Sequence, residues 1–197
     1  MTKQALDNIR SALAGNRDLL MKQKILQFGK NYTVMDTNQT PLCFVRLDWG
    51  ANAAGRMLSA FAGKWAGRMM KYTYKVSDAT DQPALEIRKG SGSFKSYFDI
   101  IEPEGNERIG GIGLRRSLIG GMRAEWQDPA SGQTLIRTEG NVIRRKYRMV
   151  GSDGSEIATV RHKIAAIRDV WKLEIKTDTN HLHAVIFSAV LDFEKEM

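Results

Sequence analysis

The stretch that decides the fold is the last one, Asn180 to Met197, NHLHAVIFSAVLDFEKEM. From Leu182 to Phe193 nearly every side chain is apolar, with only His183, Ser188 and Asp192 as exceptions. The run shows no polar face, and a helix that is apolar all round must be buried on all sides. At 1.5 Å per residue a dozen residues make a helix of roughly 18 Å, short of the about 20 residues that a membrane span needs. Asp178, Thr179 and Asn180 supply candidate caps. The competing reading is a strand, because Val185, Ile186 and Phe187 favour strands. Asp192, Glu194 and Glu196 also oppose the helix dipole at that end.

Working outward, the rest of the chain reads as strands. A unit of an apolar strand, a polar turn and a second strand recurs five times. It starts at Tyr32 (YTVMDTNQTPLCFVRL), Tyr72 (YTYKVSDATDQPALEIRK), Tyr97 (YFDIIEPEGNERIGGIGL), Ala124 (AEWQDPASGQTLIRT) and Tyr147 (YRMVGSDGSEIATVRH). Each turn carries the Asp, Asn, Gly or Pro that tight turns require. Five hairpins, with LLMKQKILQF (Leu19–Phe28) before them and DVWKLEIKT (Asp169–Thr177) after them, give about twelve strands. An open antiparallel sheet of that length curls or splits, and closure removes its edges. A barrel of about twelve strands is too wide for its own side chains to fill. The terminal segment is the candidate filler. The expectation is a mainly β protein, an antiparallel barrel enclosing a C-terminal hydrophobic helix over 181–194. Thr2 to Ala14 carries Ala5, Leu6, Ile9, Ala12 and Leu13 at helical spacing, with Gly15 as a stop. Residues 1–18 therefore read as a short helix docked on the body or as a mobile arm, and 19–197 as the barrel domain.

Composition sets bounds on function. The 197 residues carry a net charge of +8, with 42% hydrophobic and 26% charged residues, an ordinary globular balance with a basic excess. That excess favours an anionic partner, whether membrane surface, nucleic acid or phosphorylated ligand. The single cysteine, Cys43, permits no internal disulfide and fits a reducing compartment. It sits in an apolar strand and reads as a small buried hydrophobe. The N-terminal residues have no apolar h-region, so no signal peptide is expected.

Taken in order, these motifs resemble the tubby C-terminal-like group, in particular phospholipid scramblase-like and LURP-one-related proteins. The resemblance runs from about Leu20 to Glu194. It is carried by the terminal HAVIFSAVLDFE (His183–Glu194), by Pro103–Gly110 (PEGNERIG) and by the opening LLMKQKILQFGKNYTVMD (Leu19–Asp36). It implies a twelve-stranded barrel around a hydrophobic helix, and a cytoplasmic, peripherally membrane-associated, lipid-binding role. Scramblases also carry an acidic segment proposed to bind calcium. Here Ile167–Asn180 keeps only Asp169, Glu174 and Asp178 as acids, against the six to eight oxygens that calcium takes, so no calcium or other cofactor is expected. A tubby-type phosphoinositide site does not carry over residue by residue.

Two groups of residues are candidates for lipid or anion contact. The insertion Trp49–Lys71, WGANAAGRMLSAFAGKWAGRMMK, combines Arg56, Lys64, Arg68 and Lys71 with Phe61 and Trp65. It reads either as an amphipathic segment at a lipid surface or as a long connection capping one barrel mouth. The second group is Arg115, Arg116 and Arg123 with Arg144, Arg145, Lys146 and Arg148. Alternation places Arg144, Lys146 and Arg148 on one side of a strand, forming an anion-binding patch or a solvated surface that protects strand edges. The glycine-rich GGIGLRRSLIGG (Gly110–Gly121) lacks the GK[ST] ending of a phosphate loop and reads as close backbone packing in a barrel. Catalytic patterns such as GxSxG or HExxH do not occur, and no enzyme activity is expected. Of three histidines, His181 and His183 are two apart, which predicts different helix faces and no metal site. The function expected is a non-enzymatic barrel that binds phospholipid or an acidic membrane surface, with a nucleic-acid-binding or protein-interaction barrel as the alternative.

The enclosed terminal helix yields a direct prediction. Leu191→Asp would bury an unpaired charge. The variant is expected to lose cooperative thermal unfolding, and one that melts like the parent would place the segment outside a barrel.

Overall fold

A computed structural model describes residues 2–23, 31–48, 72–90, 95–116, 122–141, 146–165 and 168–196. Helix α1 (Thr2–Leu13) precedes the strands β1 (Asp18–Gln23), β2 (Asn31–Met35), β3 (Pro41–Asp48), β4 (Thr73–Asp78), β5 (Pro83–Lys89) and β6 (Lys95–Glu102). Then follow β7 (Glu107–Arg116), β8 (Met122–Gln127), β9 (Thr134–Asn141), β10 (Lys146–Gly151), β11 (Glu156–Ala165) and β12 (Arg168–Ile175). Helix α2 (His181–Glu196) ends the chain. Every strand pairs antiparallel with its sequence neighbours, and β1 pairs with β12 through Met21↔Trp171 to close a twelve-stranded barrel. All five expected hairpins are present, as β2–β3, β4–β5, β6–β7, β8–β9 and β10–β11.

The strands alternate as their sequences dictate. In β8, Met122, Ala124 and Trp126 point inward while Arg123 is exposed; in β12, Trp171, Leu173 and Ile175 point inward. Cys43 is wholly buried in β3, and burial pushes its thiol up to about 12, which leaves it inert. In the glycine-rich strand β7, a side chain at Gly110 would meet the Trp126 ring at 2.6 Å, so glycine there serves close packing.

The barrel lumen holds α2. From Ala184 to Asp192 all nine consecutive residues are at most 1% exposed. Successive helix positions point in every direction around the axis, so the wall must surround the helix. The Asn180 carbonyl accepts the first helical bond, from the Ala184 N–H at 3.0 Å. The helix runs from the end where the hairpins turn towards the opposite end, where β5 leaves and β6 enters.

The acids noted at the end of α2 have partners in the barrel wall: Asp192 and Glu194 are buried and bonded inside the barrel. Asp192 accepts from the Tyr32 hydroxyl at 2.8 Å. Glu194 accepts from Lys89 Nζ at 2.7 Å, from the Tyr72 hydroxyl at 2.8 Å and from the Ser96 hydroxyl at 3.0 Å. The Lys89–Glu194 pair is at most 1% exposed on both sides. Higher up, Ser188 accepts from Tyr147 at 3.2 Å and donates back to the Ala184 carbonyl at 2.8 Å. Burial raises the Tyr147 phenol, which stays a neutral donor. These partners are strand residues far from the helix in sequence, so the local pattern shows a dipole conflict that the tertiary structure resolves.

Helix α1 is docked. Ile9 and Leu13 are wholly buried, with Ala5 and Leu6 nearly so, against β3, β4, β5 and α2 at the hairpin end. Gly15, at φ +79°, turns the chain out of the helix. Asn8 Nδ2 donates to Asp78 Oδ2 at 3.0 Å and ties the helix to β4. Burial works against the Asp78 carboxylate, but bonds from Asn8, Thr80 and Gln82 outweigh it and hold its pKa below the ordinary value.

Two predictions follow from these contacts. Removing one partner of a buried ion pair strands the other, at about 3–5 kcal/mol. Lys89→Met is therefore expected to lower unfolding stability by about that amount in urea titrations, and adding Glu194→Leu to recover a large part of it. For Asp78 the folded pKa is depressed, so its contribution is complete above the unfolded pKa of about 4 and fades as pH falls through the folded value. The gap in urea midpoint between the parent and Asp78→Asn should be widest at pH 7 and shrink at pH 2.5.

Candidate anion-binding face

A barrel filled from within leaves its outward side chains free of packing duty. From β7 to β11 those side chains include Arg115, Arg123, Arg137, Lys146, Arg148 and Arg161, interspersed with Glu107, Glu125, Glu139 and Glu156. Arg115 on β7 stands directly opposite Arg123 on β8. Lys146 on β10 stands opposite Arg161 on β11, which in turn stands opposite Lys172 on β12. Side chains directly opposed on an antiparallel pair have Cβ atoms about 4.5–5.5 Å apart, and like charges at that spacing destabilise the pair. Lys172 is offset by Asp18 at 3.0 Å and Glu174 at 3.5 Å, and its pKa is raised chiefly by the Asp18 hydrogen bond. Arg115, Arg123, Lys146 and Arg161 are exposed and make no ion pair with a described residue.

Between the two like-charged pairs the wall opens. Strands β8 and β9 pair only from Glu125↔Arg137 towards their turn, with a shift of register between Trp126 and Gln127. Beyond that point the Thr138 hydroxyl bridges them, accepting from the Ala124 N–H at 2.9 Å and donating to the Ala124 carbonyl at 3.4 Å. The splayed strands leave a groove of about 330 Å³ lined by Arg123, Glu125, Arg137, Thr138 and Glu139. Glu139 binds Arg137 at 3.1 Å and Arg148 at 3.2 Å, and Arg148 lies 3.7 Å from Glu156. These are surface pairs, each worth about 1 kcal/mol or less, so an incoming anion competes with them easily.

The structure thus brings Arg115, Lys146 and Arg148 onto one outer face, with Arg123 between them. The expected alternation holds for Lys146 and Arg148, both exposed. Arg116 ends β7, and its side chain lies outside the described residues, as do Arg144 and Arg145 and the insertion residues Arg56, Phe61, Lys64, Trp65, Arg68 and Lys71. Arg137 and Arg161 belong to the face and were missed. Arg137 has no basic neighbour in sequence, Arg161 has only His162 and Lys163, and strand register is what places them beside the others.

Among the described residues no group of His, Cys, Asp or Glu is arranged to hold a metal ion. No described helix is long and apolar enough to cross a membrane. No curated protein matches the chain closely enough to count as a relative. The sequence model of the LURP-one-related family matches residues 17–192, which takes in every strand and most of α2. With the closed twelve-stranded barrel around its terminal helix, this match places the chain in the LURP-one-related family, within the tubby-like superfamily.

Proposed function

We propose that this domain is a non-catalytic module that docks on anionic phospholipid surfaces through the β7–β11 wall. The observation that carries the reading is the pair of opposed base–base contacts, Arg115↔Arg123 and Lys146↔Arg161, flanking an open groove. Opposed bases repel one another in the free protein, and a surface of phosphate groups relieves that repulsion at several points at once. The net charge of +8 steers the whole molecule towards such a surface. The partner in this reading is an acidic leaflet, such as the cytoplasmic one, met peripherally.

Binding rather than movement of lipid is the mechanism that fits. Helix α2 has 16 residues, about 24 Å of helix, below the thickness of a bilayer core. Drawing it from the lumen would also separate Glu194 from Lys89 and open the whole core. The basic wall offers phosphate contacts without any such rearrangement.

The test is co-sedimentation with neutral phosphatidylcholine vesicles and with vesicles containing phosphatidylserine, at low and high salt. The parent is expected to bind only the acidic vesicles, and less at high salt. Each base near an acidic membrane contributes about 1 kcal/mol, so Arg115→Ala with Arg123→Ala should weaken binding roughly thirtyfold. Trp65→Ala, tested alongside, should weaken it further if the insertion meets the same surface. No binding to any vesicle, or binding indifferent to the arginine pair, would overturn the proposal; salt-sensitive binding to duplex DNA alone would assign the face to nucleic acid.

A further inference from the structure

The hairpin end of the barrel holds a second feature, separate from the basic wall. A cavity of about 410 Å³ lies between α1 and the start of α2, within the range of small-molecule pockets. One side is apolar, formed by Leu85, Ile109, Trp126 and Ile186. The other side is polar, with Arg10 from α1 and His181 and His183 from the first turn of α2. Asp178 stands at the rim, its charge offset by Arg17 at 2.6 Å. Arg10 meets only Asp7, at 3.7 Å on an exposed helix face, and remains available.

The two imidazoles are the telling groups. Their two-residue spacing predicts different faces, yet both line this one cavity. Trp126 packs on His183 at 4.5 Å, while the chain leaving α1 covers His181, which feels the Asn16 carbonyl. His181 is 4% exposed, and among the described residues its Nε2 has no hydrogen-bond partner; the buried Nδ1 of His183 has none among them either. An unpaired buried polar atom costs about 1–3 kcal/mol, a penalty that a bound group removes. Burial lowers the pKa of both, that of His183 to about 4 with Arg10 as the second cause, so both are neutral near pH 7. The helix adds its own donors. Its hydrogen-bond ladder starts at the Ala184 N–H, which leaves those of His181, Leu182 and His183 without intrahelical acceptors. No described side chain caps them, and Asn180 turns its amide nitrogen to Thr177 and Thr179 at 3.4 Å.

We propose that this cavity binds a small amphipathic acid, an anionic head on an apolar body. The head sits among Arg10, His183 and the first turn of α2, where donors and positive charge converge. It lies beside His181, whose Nε2 is an acceptor while the ring is neutral and becomes a donor on taking up a proton with the anion. The body lies over Trp126, Leu85 and Ile109. Helix α1 supplies one wall and lies outside the residues matched to the family, so the site depends on this chain's own N-terminal segment.

The experiment is calorimetric titration of the full chain with octanoate, octyl phosphate and 1-octanol. The first two differ in the acid and the third keeps the apolar body without charge. Binding of either acid at least tenfold more tightly than the alcohol is expected, and the stronger of the two identifies the head group. Arg10→Gln should weaken the acid about five- to tenfold and leave the alcohol unchanged, while Ile109→Trp should block both. Nitrogen resonances of His181 and His183 should move on addition of the acid, with those of His162 on β11 still. Equal binding of acid and alcohol, no response of the two imidazoles, or indifference to Arg10→Gln would overturn the proposal. The Arg115/Arg123 double variant should bind the acid as the parent does, so this site and the membrane-docking wall stand or fall separately.

Discussion

The ion pair between Lys89 and Glu194 is the constraint on which the rest of the structure depends. A carboxylate sealed inside a barrel is strongly destabilising unless its charge and its lone pairs are all met. Here an ammonium group and two hydroxyls, from Tyr72 and Ser96, meet it. Lys89 also lies 5.0 Å from the Tyr72 ring centre, and Tyr72 packs on Phe193 at 4.5 Å. Three strands, β4 to β6, are thereby joined to the last turns of α2. An apolar helix in an apolar tube has no reason to prefer one depth over another. The Asp192–Tyr32 and Ser188–Tyr147 bonds add two further fixed points from β2 and β10. Sliding α2 by one turn, about 5.4 Å, would break all three at once. The buried polar contacts therefore set depth and rotation, and the apolar contacts supply the bulk of the stabilisation.

Barrel and helix each require the other. Twelve strands enclose a lumen that inward side chains alone do not fill. Helix α2, buried on every side, has no face that tolerates water. Helix α1 then closes the hairpin end, with Ile9 and Leu13 wholly buried and Asn8 bonded to Asp78. Strand closure through β1 and β12 pairs the first strand with the last, so neither is left as an edge.

The parts of the fold legible in the sequence are those set by local chemistry. Turn residues marked all five hairpins, and alternation or apolar runs marked their strands. The apolar run from Leu182 to Phe193, broken only by His183, Ser188 and Asp192, marked the buried helix, and the stripe through Ile9 and Leu13 marked α1. What was not legible depends on pairing across the chain. Nothing near Lys89 in the sequence announces Glu194, 105 residues later. Arg137 stands alone in sequence and Arg161 has only His162 and Lys163 beside it, and strand register is what joins both to the basic wall. The histidines at the start of α2 seemed to diverge, until α1 and Trp126 were seen to cover both.

The same division explains how the protein tolerates its own surface. Opposed bases such as Arg115 and Arg123 oppose folding, though by an amount that surface screening keeps small. The lumen is stabilised by contacts that do not involve them, so the wall can keep this repulsion without threatening the fold. A basic row on a marginal sheet would instead be a liability. Arg115 and Arg123 stand on paired strands of a closed barrel, which sets the spacing of their backbones. In the docking proposed above, the filled lumen fixes where each charge is anchored, and only the long Arg and Lys side chains remain to be ordered on binding.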